Sequence, residues 1–374
     1  MELETIDDVY NTIYECDYDY TESNKKIAFK CVERAKVLKD LDLEFEARFA
    51  YLKQLVFLHY YEEAIPIFPW FLDQCDQHPD RFNYFMVLWS YKWILDALNN
   101  YASVPKRKLE EVFQDFERRF KDYGSDDKII NHYQMRISSD MGRPEDAYKY
   151  YKKYELTSGD NELDDCYACV INNSIEVLIN TSHYQEALTI ANPIINKEVS
   201  CHVVPSTTYP KLVEGALMLD KWELAEKYHQ LAHKKLKLNM LNLDQYKTLL
   251  WMLAIQKKFI KGRNIIQAQL NLIGKNTSNL SKMKFYHACY LFFYAMKKQD
   301  KKSIKLNLNT FLEIEEDFPS LSVKGEYSVD ALLGWFEVGY QKHSNLLDTR
   351  NENQYYKSSV ECTSIKIKAY ISSF

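Results

Sequence analysis

The chain has 374 residues, 46% of them hydrophobic, with only 9 Gly, 9 Pro and a net charge of −5. So few turn residues exclude a strand-rich fold, which needs many tight turns, and no run of about 18 apolar residues marks a membrane span. The charge is uneven: residues 1–220 carry 24 Lys+Arg against 39 Asp+Glu, residues 221–310 carry 18 against 4, and residues 311–374 carry 6 against 10, a polarity that concerns partners rather than fold.

Residues 2–18 read as an acidic helix with seven acids and no Lys or Arg in the first 20 positions. Ile6, Tyr10 and Ile13 share one face, with Val9 and Tyr14 beside it, and Thr5-x-x-Asp8 is a capping signature. The ordinary role is a solvated cap at one end of an array; the sharper one is a docking helix for a basic partner or for the chain's own basic region. Ser23–Asp40 follows with Ala28, Cys31, Ala35 and Leu38 inward, then Leu41–Tyr60. The phrase Tyr61-Glu62-Glu63-Ala64 opens a fourth helix, in which Pro69 is expected to bend or break the chain. Residues 79–99 predict an aromatic-dense helix with Trp89 and Trp93 on one face, as a core seam or, alternatively, a ligand groove. Pro105 opens the next helix and Gly124 stops it.

From Ser125 a phrase recurs: a turn, an aromatic or Pro, two residues, a small residue, then a helical run. It appears at Pro144-Glu145-Asp146-Ala147, Tyr184-Gln185-Glu186-Ala187 and Trp222-Glu223-Leu224-Ala225. Gly262 follows Phe259, and Ser303 follows Asp300, at the same offset. The small positions 147, 187, 225, 262 and 303 are 40, 38, 37 and 41 apart. A small residue is needed where the two helices of a hairpin cross closely. Glu326–Ser344 predicts an amphipathic helix, 345–353 a polar turn, and 353–373 a closing cap.

Met141-Gly142-Arg143-Pro144-Glu145-Asp146-Ala147 resembles the tetratricopeptide pattern, with Gly142 ending one helix and Ala147 on the next. These repeats exceed the usual length of about 34, so the likeness is to a divergent, longer-helix variety. Asp165-Cys166-Tyr167-Ala168-Cys169, His183-Tyr184-Gln185-Glu186-Ala187-Leu188 and Ser200-Cys201-x-x-Val204-Pro205 resemble a largely uncharacterised family of bacterial tetratricopeptide-like proteins over roughly residues 120–265. The resemblance implies an all-α superhelix of paired helices and supplies no activity. The expected layout is one continuous solenoid of about 14–16 helices, with N-terminal repeats and cap over 1–124, regular repeats over 125–320 and capping helices over 321–374. Ala64, Gly142, Ala147, Tyr184, Ala187, Trp222, Ala225 and Gly262 are its anchors.

The best chemical constellation is Cys166 and Cys169 at one helix start, with Cys201 and His202 just past the next helix. Antiparallel packing brings these ends together, which a closed structural zinc site would need; redox-active or inert buried thiols are the other readings. No further cofactor is indicated. His229 and His233, four apart with Glu226 nearby, read as a solvated helix face. Asp164-Asp165 and Asp7-Asp8 read as helix caps. No phosphate loop, nucleophile elbow or kinase signature occurs, so no enzyme activity is expected. Lys234, Lys235, Lys237, Lys257, Lys258, Lys261 and Arg263 form a basic surface, either a solvated outer face or a phosphate-backbone footprint.

Three functions compete. The first is a non-catalytic scaffold binding a protein or peptide in the concave groove lined by the first helices of the hairpins. The second is a peptide-gated regulator similar to bacterial tetratricopeptide signal receptors. The third is a nucleic-acid-associated factor using residues 221–310. The acidic N-terminus and scattered Cys lead to an expectation of a cytoplasmic protein without a membrane partner.

Overall fold

The computed structural model describes residues 3–17, 19–159, 161–235, 243–270, 273, 278–308 and 325–374. Among these residues are eighteen helices and one two-stranded ribbon, so the fold is all-α. The chain divides into two compact units, Met1–Leu98 and Asn99–Phe374.

The first unit contains α1 (Ile6–Cys16), α2 (Glu22–Leu38), α3 (Leu41–Phe57), α4 (Tyr61–Gln77) and α5 (Tyr84–Leu98). Helix α1 starts at a capping box: the Thr5 hydroxyl accepts from the Asp8 amide at 3.2 Å and the Asp8 carboxylate accepts from the Thr5 amide at 2.9 Å. Its inward face differs from the expected one. Val9, Ile13 and Cys16 are buried, whereas Ile6, Tyr10 and Tyr14 are exposed. The helix is turned because α2 and α3 offer the small and medium side chains Cys31, Val32, Ala35 and Ala47, against which Val9 and Ile13 close. Helix α4 runs through both Pro66 and Pro69 without a break. Buried Phe68, Phe71 and Cys75 flank Pro69 and hold the segment in place, offsetting the one backbone bond the ring removes. In α5 the expected Trp seam is not central. Trp89 and Trp93 are half-buried, and Val87, Leu88, Tyr91, Ile94 and Leu95 form the inward face. The Lys92 ammonium lies 3.4 Å from the Trp89 ring centre, an arrangement that shelters a buried cation.

In the second unit α6 (Lys106–Asp122) starts after Pro105 and stops before Gly124, whose φ is +98°. Five helices then end in the same turn: α7 (Asp127–Asp140), α9 (Tyr167–Asn180), α12 (Thr208–Met218), α14 (Leu243–Ile255) and α16 (Asn279–Lys298). In each, the second residue past the helix is left-handed: Gly142, Ser182, Asp220, Lys257 and Asp300. The next amide donates back to a carbonyl five residues earlier, as from His183 to Leu178 at 2.7 Å and from Lys258 to Leu253 at 2.8 Å. This geometry satisfies end carbonyls that a helix leaves open.

The first four turns lead directly into α8 (Pro144–Leu156), α10 (Tyr184–Ile190), α13 (Trp222–Lys235) and α15 (Phe259–Leu270). Ala147, Ala187 and Ala225 are fully buried there, as is Ala64 in the first unit; Gly262 is buried in α15. Helix α10 has only seven residues and is followed by α11 (Asn192–Ile195). At the fifth turn the pattern stops. Ser303 lies in β1 (Ser303–Lys305), which pairs antiparallel with β2 (Glu326–Ser328), so it anchors no helix. Buried Ile304 and Tyr327 face each other there, an alternation of three residues too short to read as a strand.

The chain ends with α17 (Val329–Asn351) and α18 (Tyr355–Ser373). Helix α17 continues through the polar stretch expected to turn at 345. Leu347 is fully buried, and Ser344, Asp348 and Arg350 beside it face inward. The Asp348 carboxylate accepts from the amides of Tyr356 and Lys357, each at 2.9 Å. Arg350 donates to the carbonyls of Asn99 and Tyr101, each at 3.0 Å. The expected domain boundary at 320/321 lies outside the described residues, as does Lys237. No described helix is long and apolar enough to cross a membrane.

Candidate functional site

The turns that end α7, α9 and α12 present backbone carbonyls on one side, and helix α18 runs along them. The Asn353 side-chain amide, just before α18, donates to the carbonyls of Met141 at 2.8 Å and Gly142 at 3.2 Å. The Tyr356 hydroxyl donates to Asp140 at 2.6 Å and the Tyr355 hydroxyl to Asn180 at 2.7 Å. At the far end the Tyr370 hydroxyl donates to the Leu217 carbonyl at 3.2 Å. Lys366 reaches the Asp220 carboxylate at 2.7 Å, and Lys257 donates to the Phe374 carbonyl at 2.8 Å. The sequence of α18 thus follows the sequence of the turns, from α7 to α14.

Beneath α18 is a cleft whose walls come from the first helices of successive hairpins. Asp140 of α7, Asn180 of α9, Glu214 of α12, Lys247 of α14 and Lys284 of α16 line it, facing Tyr355 and Tyr356 of α18. This is the helix set expected to line a ligand groove, and the chain's own last helix lies on it. Paired charges lie in the cleft and beside it. Lys247 meets Glu214 at 2.7 Å, and Lys211 and Lys284 meet Glu176 at 2.7 and 3.8 Å. Burial alone would raise the Glu176 pKa, but Lys211 and Lys284 outweigh it and hold the carboxyl well below its usual range. The Glu176 side chain keeps 40% of its exposure, so this network orders the floor more than it stabilises the fold.

His287 lies at the same face, its Nε2 2.7 Å from the Ser364 hydroxyl of α18. Burial, then Lys247 and Lys368, depress its pKa to about 3. His229 is also buried, not on a solvated face as expected, and burial with His233, Lys258 and Lys261 depresses it to about 4. The unfolded chain takes up these protons near pH 6.5, while the folded chain refuses them until about pH 4 and 3. Stability is therefore full above pH 6.5 and falls as the pH drops, by up to about 1.4 kcal/mol per pH unit for each His. Denaturation midpoints measured between pH 7 and 5, above most carboxylate titration, are expected to fall with pH, and His229→Gln to flatten part of the slope. A flat profile would contradict the buried, neutral state of both rings.

The cysteines converge at the start of α9. Cys166 is its N-cap residue and Cys169 lies in its first turn, while Cys201 comes from the segment after α11. The three sulfurs all lie within 4.8 Å of one another, with Cys169 and Cys201 at 3.4 Å. Burial and the two neighbouring thiols push Cys169 up. Burial would raise Cys201 too, but the amides of Val203 and Val204 and the other thiols donate to it and bring it below the ordinary thiol range. His202 is exposed and is not brought into the cluster. Asp164 and Asp165 do not cap α9. Asp164 accepts from the Asn161 amide at 3.2 Å, and Asp165 accepts from the Tyr133 hydroxyl at 3.1 Å.

The basic residues are placed mostly on the second helices of the hairpins. Lys234 and Lys235 end α13, Lys257 and Lys258 occupy the α14–α15 turn, and Lys261 and Arg263 begin α15. All are exposed except Arg263, which is half-buried and donates to the Asn264 side chain at 3.0 Å. Of the aromatic anchors, Trp222 packs its ring 4.3 Å from that of Phe374, centre to centre, and the Tyr184 hydroxyl lies 3.3 Å from that of Ser182.

Reading the residues alone missed Asn353, Tyr355, Tyr356 and Tyr370. The available signal was a closing helix with apolar residues at Val360, Ile367 and Ile371 and donors at both ends, which is more than an outer cap needs. No family model matches the chain, and no curated protein matches it in sequence.

Proposed function

We propose that this chain is a non-catalytic, tetratricopeptide-like scaffold that takes an amphipathic helix of a partner protein on the face of its first helices, in exchange for its own α18. The observation that carries this reading is the docking of α18 itself. Its ends are held by side-chain donors on backbone carbonyls, a mode that any helix with donors at that spacing reproduces. Only five of its 19 residues are buried, against thirteen of 20 in α16, so α18 is the lighter partner in its own interface. Helix-in-groove recognition works through such apolar anchors flanked by polar ones. Eight free thiols fit a reducing compartment such as the cytoplasm.

The test is a pull-down from the native host at moderate salt, followed by elution with a synthetic peptide of residues 354–374. A protein partner released by that peptide supports the reading. A partner that stays bound in excess peptide argues for another surface. The second reading, phosphate-backbone binding, is favoured by the exposed Lys234, Lys235, Lys258 and Lys261. Capture of nucleic acid that is lost steeply as salt rises would replace the first reading by the second.

A further inference from the structure

The cysteine cluster lies apart from the α18 face, and none of the contacts that hold α18 uses it. Its three sulfurs come from two segments separated in sequence: the first turn of α9, and the irregular segment between α11 and α12. A tetrahedral zinc–thiolate centre has Zn–S bonds of about 2.3 Å, which places its sulfurs about 3.8 Å apart. In the observed set one pair lies at 3.4 Å and all three sulfurs lie within 4.8 Å of one another, so closing on an ion takes changes in S–S separation of at most about 1 Å. We propose that Cys166, Cys169 and Cys201 bind one Zn²⁺ ion as a three-thiolate site with water in the fourth position, an open site in place of the closed one expected from the sequence.

The fourth ligand follows from exposure. Among the described residues no His, Asp or Glu joins the three sulfurs, and Cys166 is exposed, so one vertex faces solvent. Zinc completes four-coordination there with water. Binding converts three thiols and one water into a zinc-bound tris-thiolate aqua centre and releases three protons. The product carries one negative charge, which sits at the N-terminus of the 14-residue helix α9, where the helix dipole favours an anion. No electron transfer is involved. The consequence is mechanical: the ion ties the α11–α12 connection to the start of α9 and fixes the second hairpin from its open end.

The experiment uses the full chain, purified with a reductant and exchanged into metal-free anaerobic buffer. Zinc is measured on the isolated protein, and Co²⁺ is titrated into the stripped protein as a spectroscopic probe. The expected result is about one zinc per chain and thiolate-to-cobalt absorption in the near ultraviolet, as cobalt occupies the same sulfur set. Cys169→Ser and Cys201→Ser each lose metal at least tenfold, while His202→Ala keeps both signals. Should the serine variants fail to fold, chelation of the wild type still decides, since removing zinc then lowers its melting temperature and raises protease cleavage in the α11–α12 segment. Several findings would each overturn the site: less than a tenth of a metal ion per chain with no cobalt absorption, a Cys169–Cys201 disulfide in the isolated protein, or loss of the cobalt spectrum in His202→Ala.

Discussion

Replacing Gly262 with alanine is expected to destabilise the second unit by about 1–3 kcal/mol, although the same change in an exposed helix would stabilise by about 1 kcal/mol. Gly262 lies in the first turn of α15, where the chain crosses α16. A Cβ there would stand 2.1 Å from Phe292 Cε2 and 2.6 Å from its Cζ. The Phe292 ring is fully buried, and Phe259 and Phe293 are edge-on to it at 5.7 and 5.5 Å. It has no free volume into which to turn, and close-packed interiors yield poorly to an added methyl. The measurement is chemical denaturation of the variant beside wild type. In a cycle with Phe292→Leu, the pair is expected to cost less than the sum of the single changes. Unchanged or raised stability in Gly262→Ala would mean that α15 and α16 do not approach this closely.

Gly142→Ala is expected to cost about 2–5 kcal/mol, from two separable causes. Gly142 has φ +65°, where an L side chain costs about 1–2 kcal/mol. Its new Cβ would also meet Tyr355 Cβ at 2.6 Å and the Tyr355 ring at 2.8 Å, an overlap worth about 1–3 kcal/mol. The second cause is specific to α18, because Tyr355 opens that helix. Amide exchange in α18 is therefore expected to accelerate in the variant more than exchange in α7 or α8. Asp300 supplies the control. It occupies the same left-handed position after α16, so Asp300→Gly relieves backbone strain and is expected to leave stability level or higher. Gly142→Ala with wild-type stability, or with α18 protection unchanged, would contradict the packing described.

The hairpin repeats were legible because their cause is local. A small residue three places into a helix leaves a direct trace at Ala147, Ala187, Ala225 and Gly262. The left-handed turns left a trace only at Gly142. At Ser182, Asp220, Lys257 and Asp300 tertiary packing imposes the conformation on residues whose identity does not announce it. The end of the pattern was misread for a related reason. Asp300 closes its turn like the others, so only the ribbon of Ile304 and Tyr327, set by a partner more than twenty residues away, separates Ser303 from a fifth anchor. The polar stretch in α17 reads as a turn from composition, yet Arg350 is inward because it finds carbonyls about 250 positions back, and Asp348 because it meets the first amides of α18. Such long-range satisfaction of buried polar groups has no local signature. The α18 face was hidden in the same way: its hydroxyls meet carbonyls some 150 to 216 positions away. The cysteine cluster was half visible. Cys-x-x-Cys and the antiparallel argument place three sulfurs together, but the orientation of His202 depends on the loop and not on its adjacency to Cys201.

On the reading we propose, α18 is an exchangeable occupant of the face formed by α7, α9, α12, α14 and α16. Native-state hydrogen exchange, resolved by segment under sub-denaturing guanidinium, tests it most directly. Amides of α18 are expected to exchange through an opening well below the global unfolding free energy, while α14 and α16 remain protected to the global limit. Protection of α18 equal to that of α14 and α16, with all three lost together, would make α18 an integral part of the core and contradict its role as a displaceable ligand.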